Sequence, residues 1–313
     1  MKPLNIIIPN RMLGNRLDVS LSEMLPDYSR SKITAWIKSG DALINQKNFK
    51  PKDKSSGNEI VCLTLNQKQT TDWIAEKISL NIVYEDEDII VINKQFGLVT
   101  HPGAGNWSGT LANALLYYDS NLSKLDRAGI VHRLDKNTSG LMVIARNEKS
   151  QKYLTEQLQS HLVDREYSAI VYGHMIAGGT VDEPIGRDPK DRVKQAVSES
   201  GKDAVTHYRA IDSFKSHTHV KAILETGRTH QIRVHLSHVG HSLIGDPMYG
   251  GRVRFPKKAS EELKDALVNF TRQALHSKKL TLTHPISGEI MSWKAPLPDD
   301  MLRLLEVLKK FDS

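Results

Sequence analysis

Cysteine is the scarcest residue type in the chain: Cys62 is alone among 313 residues. One thiol cannot close an internal disulfide or supply a thiolate cluster for zinc, and its isolation fits a reducing compartment. Aromatic residues are sparse, at 6%. Uninterrupted apolar runs such as Leu141 to Ala145 stop at about five residues, far below the ~20 that a membrane-spanning helix needs. The opening stretch Met1 to Asn10 holds only the run Leu4 to Ile8, broken by Asn5, with no export-signal core and no small-residue cleavage site. A cytoplasmic location without a membrane partner is the expectation. The phosphate-loop pattern G-x-x-x-x-G-K-[ST] is missing, which argues against a nucleotide-driven motor or kinase of that class. Gly103-Ala-Gly105-Asn-Trp-Ser-Gly109 has its third glycine one position late for a dinucleotide loop, and no strand leads directly into it. His132-Arg133-Leu134-Asp135 differs from a protein-kinase catalytic loop by one extra residue and lacks the accompanying Gly-rich strand and Asp-Phe-Gly.

What is present is ordinary globular composition, 39% apolar and 25% charged, in a length that suggests two domains. The formal charge is +7, from 43 Lys plus Arg against 36 Asp plus Glu. Residues 1–75 carry 11 of those cations and 7 of those acids, so +4 of the +7 sits in the first quarter. A polyanionic partner is compatible with this excess, as is a merely soluble surface.

Within the basic front segment, residues 29–40 read as a short helix with Ser29 as cap and Gly40 in the left-handed closing position. Ile33, Trp36 and Ile37 form its apolar stripe, leaving Arg30, Lys32 and Lys38 for solvent or phosphate. Ala42 to Asn45 and Glu59 to Leu63 read as strands, and Asn66 to Thr71 as a linker. Beyond residue 80, strands are expected at Asp88 to Lys94, Gly140 to Arg146, Glu166 to Gly173, Val205 to Phe214, His219 to Thr226, Leu280 to His284 and Glu289 to Lys294. Helices are expected at Thr110 to Tyr118, Lys149 to His161, His230 to Val239, Glu261 to Phe270 and Asp299 to Lys310. Several strands follow one another without a helix between, which predicts a mixed, largely antiparallel sheet.

His235, His238 and His241 recur at intervals of three, but Gly240 should end the helix before His241, and no carboxylate or cysteine nearby completes a zinc site. No metal is expected. The densest polar constellations are residues 130–146 and 226–236. In the first, Asp135 sits in a polar loop just before an apolar strand. In the second, Arg228 and Arg233 flank a helix start, suited to anions or to a buried carboxylate. Spacing alone leaves two readings open: a functional acid, or an Asp–Arg pair that clamps a loop to a helix.

His132-Arg-Leu-Asp135 with Thr138-Ser-Gly-Leu141, Arg165-Glu-Tyr167-Ser-Ala169, Gly227-Arg-Thr-His-Gln-Ile-Arg-Val-His235 and Gly245-Asp-Pro-Met-Tyr-Gly250 together resemble the RluA/RluD family of RNA pseudouridine synthases. His101-Pro-Gly-Ala-Gly105, Gly178-Gly-Thr-Val-Asp-Glu-Pro184 and Arg272-Gln-Ala-Leu-His276 resemble its RluD branch. Lys94-Gln95 departs from the Lys-Pro usual at that place. The resemblance implies an α+β fold: a pseudouridine synthase catalytic domain over 76–313 and a small N-terminal S4-like α/β RNA-binding domain with its linker over 1–75. It implies Asp135 as the catalytic nucleophile or base, Arg233 as its ion-pair partner, Tyr167 as the active-site tyrosine and Arg133 as the group that fills the gap left by a flipped base. His132 and Arg228, and Arg30, Lys32 and Lys38 in front, are implied RNA contacts, with Arg252, Arg254, Lys257 and Lys258 as further phosphate candidates.

Turning uridine into pseudouridine breaks N1–C1′, rotates the base and joins C5 to C1′; as an isomerisation it requires no cofactor, and none is expected. The target base must leave its stack. A carboxyl group shut in by a stacked base tends to take up a proton, so a cation has to hold its charge. The RluD resemblance further implies large-subunit (23S) ribosomal RNA, at the stem-loop called helix 69, and a monomeric enzyme is expected. Rival readings are the same chemistry on tRNA or another ribosomal site, a non-catalytic ribosome-assembly factor, and a uridine methyltransferase, for which Cys62 is badly placed.

Overall fold

The computed structural model describes residues 4–26, 28, 30–64, 73–103, 105–191 and 193–312. The chain first builds a small unit around its own core: β1 (Leu4–Ile7), α1 (Leu17–Met24), α2 (Arg30–Ser39), β2 (Ala42–Ile44) and β3 (Ile60–Leu63). Its sheet is antiparallel in the order β1-β3-β2. The expected stripe Ile33, Trp36 and Ile37 packs with Leu17, Leu21, Val61 and Leu63. The expected cap Ser29 and the linker at 66–71 lie outside the described residues. Helix α1 has no counterpart in the sequence expectations, and the reason is physical. Its buried face includes Asp18 and Ser20, which interrupt the apolar period; Asp18 is held there by Arg16 at 3.1 Å and Arg30 at 2.8 Å.

The rest of the chain supplies β4 (Ile82–Glu85), β5 (Ile89–Lys94), α3 (Leu111–Tyr118), β6 (Ser139–Ala145), α4 (Glu148–Gln159), β7 (Asp164–Tyr172), β8 (Gly179–Asp182), β9 (Ile185–Arg187), β10 (Gln195–Val197), β11 (Val205–Ser213), β12 (His217–Leu224), α5 (Gln231–His238), α6 (Glu261–Asn269), β13 (Leu275–Thr283), β14 (Ile290–Lys294) and α7 (Asp299–Phe311). A nine-stranded sheet runs β4-β5-β6-β13-β7-β12-β11-β8, with β14 also paired to β13, while β9 and β10 form a separate ribbon. Every described pairing in it is antiparallel except β6 with β13. The mixed, largely antiparallel sheet expected from the strand spacing is what forms. The strands β1, β4, β8, β9 and β10 have no counterpart among the expected strands.

Alternation along the strands decides which helices cover which face. Ile90 and Ile92 of β5 and Tyr167, Ala169 and Val171 of β7 face α3 and α5 through Leu111, Leu115, Ile232 and Leu236. Ile89 and Val91 meet Leu154 of α4 on the opposite side, and Ile170 and Tyr172 meet α6 and α7. All seven residues of β6 are buried, as a strand covered on both faces must be. The helices start where caps allow. Thr110 and Asn113 close a capping box on α3, Asn147 accepts from Ser150 N–H at α4, and Ser260 accepts from Leu263 N–H at α6. Gly140 permits the parallel β6–β13 pairing: its φ is +115°, and a Cβ there would lie 2.3 Å from the Ser277 carbonyl oxygen. That pairing anchors the carboxyl side of the loop that carries Asp135.

Candidate active site

Asp135 lies on the loop between Ile130 and β6, and four side chains from three separate segments hold that loop. Thr100 Oγ1 donates to Leu134 O at 2.8 Å, Gln273 Nε2 to Thr138 Oγ1 at 3.1 Å, Arg272 Nη1 to Asn137 O at 3.4 Å and Lys94 Nζ to Lys136 O at 3.2 Å. Lys94 is itself buried and also donates to Gln95 O and Leu98 O. Burial pulls its pKa down to about 7, opposed by the charge of Asp135.

Arg233 comes from α5. Its Nη1 donates to Asp135 Oδ2 at 2.9 Å, while Nε and Nη2 make a two-pronged contact with Asp246 at 2.7 and 2.8 Å. Burial works against the guanidinium charge, but the two carboxylates more than reverse it and its pKa is raised. Burial would push Asp246 upward; its bonds to Arg233 and to the N–H groups of Tyr249 and Met248 bring it below the usual carboxylate range. Asp246 sits just past a tight turn at Gly245, where φ is +69° and a Cβ would meet Arg272 O at 2.3 Å. His230, with φ +58°, brings Nε2 to 3.8 Å from Asp135 Oδ1 and bonds Tyr249 Oη through Nδ1 at 2.8 Å. Arg233 also lies 4.9 Å above the Tyr249 ring.

The pair opens into a cleft of about 480 Å³ whose lining includes Asp135, Arg133, Tyr167, Arg165, Arg228 and His101. Arg133 is exposed at it. Tyr167 is buried on β7 and burial raises its pKa, an effect that Arg165 and a bond to Ser277 partly counter. His132 lines the cleft too, but its Nε2 accepts from Val143 N–H at 3.0 Å, and burial, with the charge of Arg165 nearby, lowers its pKa to about 3. It braces the loop as a neutral imidazole. Arg228 donates through Nε to Asp203 O at 2.9 Å.

The front residues sit apart from the cleft lining. Arg30 is engaged with Asp18, Lys32 meets Glu148 of α4, and Lys38 is exposed near the end of α2. His235 bonds Thr206 Oγ1 and Glu183 O inside the core, as a structural histidine does. The grouping of metal-ligand types found among the described residues, Asp86, Asp88 and His284, lies elsewhere. Sequence reasoning assigned no role to Asp246, His230, Lys94 or Arg165. The run from Gly245 to Gly250 was the available signal for Asp246, but only the folded chain shows what its carboxylate grips.

An aspartate held by a clamped arginine thus lies with a tyrosine in an arginine-lined cleft, an arrangement whose positive charge suits a polyanion. The family model for RNA pseudouridylate synthases matches residues 88–238. "Ribosomal large subunit pseudouridine synthase D" of Escherichia coli (strain K12) is 53% identical over 307 residues, 98% of this chain and 94% of that protein. The protein of the same name from Xanthomonas campestris pv. campestris is 48% identical over 304 residues, 97% of this chain and 92% of its own. Among solved structures, Human RNA Pseudouridylate Synthase Domain Containing 4 superposes with a TM-score of 0.58 at 28% identity, covering 73% of this chain and 93% of that one. The chain belongs to the RluA family of RNA pseudouridine synthases and is an isomerase.

Proposed function

We propose that this enzyme converts uridines of large-subunit ribosomal RNA to pseudouridine, at the helix 69 stem-loop, with Asp135 as the group that acts on the nucleoside. The observation that carries the reading is the chain of contacts from Asp246 through Arg233 to Asp135, which presents one carboxylate at the cleft with its charge balanced and its orientation set. The curated relatives named for the large ribosomal subunit, matched over nearly their whole length, support the class of RNA.

In this reading Arg133, exposed at the cleft, enters the stack as the uridine leaves it, its flat guanidinium able both to stack and to hydrogen-bond. Tyr167 forms the platform beneath the everted uracil. Burial keeps it a neutral phenol, which favours stacking over proton removal at C5. The reaction breaks N1–C1′ and forms C5–C1′; a proton leaves C5 and N1 gains one, so nothing is consumed. The front unit, with Arg30, Lys32 and Lys38 on α2, serves as an S4-like RNA-binding module separate from a catalytic domain that begins near residue 76. Arg252, Arg254, Lys257 and Lys258 add phosphate contacts on the later loop.

Asp135→Asn tests the reading. The variant is expected to fold, bind RNA and form no pseudouridine, and pseudouridine mapping of total RNA from cells with and without the protein should lose signal in helix 69 alone. Product formed by the variant rejects Asp135, and an unchanged map at helix 69 rejects the target.

A further inference from the structure

Three arginines are buried among the described residues: Arg165, Arg233 and Arg272. Arg233 holds Asp135 and Asp246, and Arg272 holds Asp300. Arg165 forms no ion pair with any carboxylate among the described residues, although it is only 5% exposed. Its Nη2 donates to Glu225 O at 3.1 Å, while its Nε, also buried, has no hydrogen-bond partner. A buried cation left so poorly matched is costly unless something else completes it.

Its place says what that is. Arg165 stands two residues before Tyr167 on β7, so both side chains leave the same face of the sheet, and both line the cleft. Gly227 gives the guanidinium room, since a Cβ there would come within 2.6 Å of Nη1. Arg127, Arg133, Arg165, Arg228 and Arg233 line this cleft against one acid, Asp135, which Arg233 already holds. The cleft therefore carries an excess of positive charge that suits an anion.

We propose that Arg165 is the phosphodiester anchor of the site, binding the phosphate that adjoins the uridine everted onto Tyr167. The Nε–H left without a partner and the guanidinium hydrogens not directed at Glu225 O are charged donors of the kind that phosphate oxygens accept. This deepens the reading of the cleft as a pseudouridine synthase site and rests on it.

The test is a cycle on a synthetic helix 69 stem-loop. The phosphate on the 5′ or the 3′ side of the target uridine is replaced by a neutral methylphosphonate, with the adjoining 2′-hydroxyl methylated in these RNAs and in their controls. At one of the two positions, wild-type enzyme is expected to lose about tenfold or more in affinity, the scale of a charge-assisted contact. Arg165→Gln is expected to bind the unmodified RNA about tenfold more weakly and to be indifferent to the phosphonate, with its melting temperature unchanged or raised because a buried charge is gone. Arg165→Lys should fall between. Equal losses in wild type and Arg165→Gln at both positions overturn the proposal, as does a variant that melts lower and binds unmodified RNA like the wild type. If pseudouridine forms but the losses are equal, Arg165 alone is wrong. If the cycle shows coupling but no pseudouridine forms, the anchor stands and the assignment of the target falls.

Discussion

At the scale of single residues, the site depends on how one guanidinium is divided. Arg233 gives two of its donors to Asp246, which is buried, and one to Asp135, which faces the cleft. The first contact fixes the arginine and the second fixes the acid, so Asp246 acts on Asp135 through Arg233. Asp246→Asn keeps the shape but removes the charge and the two-pronged acceptor. It should lower stability by about 3 kcal/mol, the usual cost of breaking a buried pair from one side, and reduce turnover more than RNA affinity. Urea unfolding combined with single-turnover kinetics checks both. An unchanged denaturation midpoint would show that the clamp contributes nothing.

At the scale of elements, the Asp135 loop is a junction. The end of β5, the residues before β13 and the stretch near Thr100 each send a donor into it. Lys94 is buried and joins three backbone carbonyls. Lys94→Met matches its length and leaves those oxygens without a donor, so the loop should loosen. Displacements of about 1 Å at a reacting group can cost up to ~100-fold in rate; a fall of at least about tenfold in kcat with RNA affinity within about twofold is expected. Rapid-quench turnover against equilibrium binding separates the two, and an unaltered kcat would mean that the remaining donors suffice.

At the scale of the whole molecule, several buried bases share one direction of titration. His132 and His276 have pKa values lowered by burial from 6.5 to about 3 and about 4, and Lys94 is lowered from 10.5 to about 7. In each case the unfolded chain holds the proton more readily than the folded one, so stability rises with pH between the two values. For the histidines that window is about pH 4 to 6.5, and for Lys94 about pH 7 to 10.5. Each group contributes at most about 1.4 kcal/mol per pH unit. Below it, Asp246 and Asp300, whose pKa values are lowered on balance against burial by their arginine partners, add further loss as they are protonated. Chemical unfolding from pH 4 to 6.5 should therefore give a midpoint that climbs with pH; a flat or falling profile would contradict the burial of these groups.

Local order was largely legible in the chain. The α2 stripe, α3 to α7 and the longer strands follow from apolar periods of 3.6 and 2, because such signals act over neighbouring residues. The strands β1, β4, β8, β9 and β10 and the helix α1 escaped; in α1 the apolar period is broken by Asp18, which is buried with Arg30, twelve residues on, paired to it. The motifs around Asp135, Tyr167 and Arg233 were visible as residue types in order. The Asp135–Arg233 pair was implied by the family resemblance and not by spacing: the two residues are far apart in sequence and come together because β13 lies beside β6 at Gly140 while α5 packs on the same face as Tyr167. The amino-acid order by itself determined which groups the chain carries and which segments become helix or strand. Only the tertiary fold decided that Asp246 grips Arg233, that Lys94 pins the acid's loop and that Arg165 is left without a carboxylate, because ion pairing and burial depend on distance through space and not along the chain.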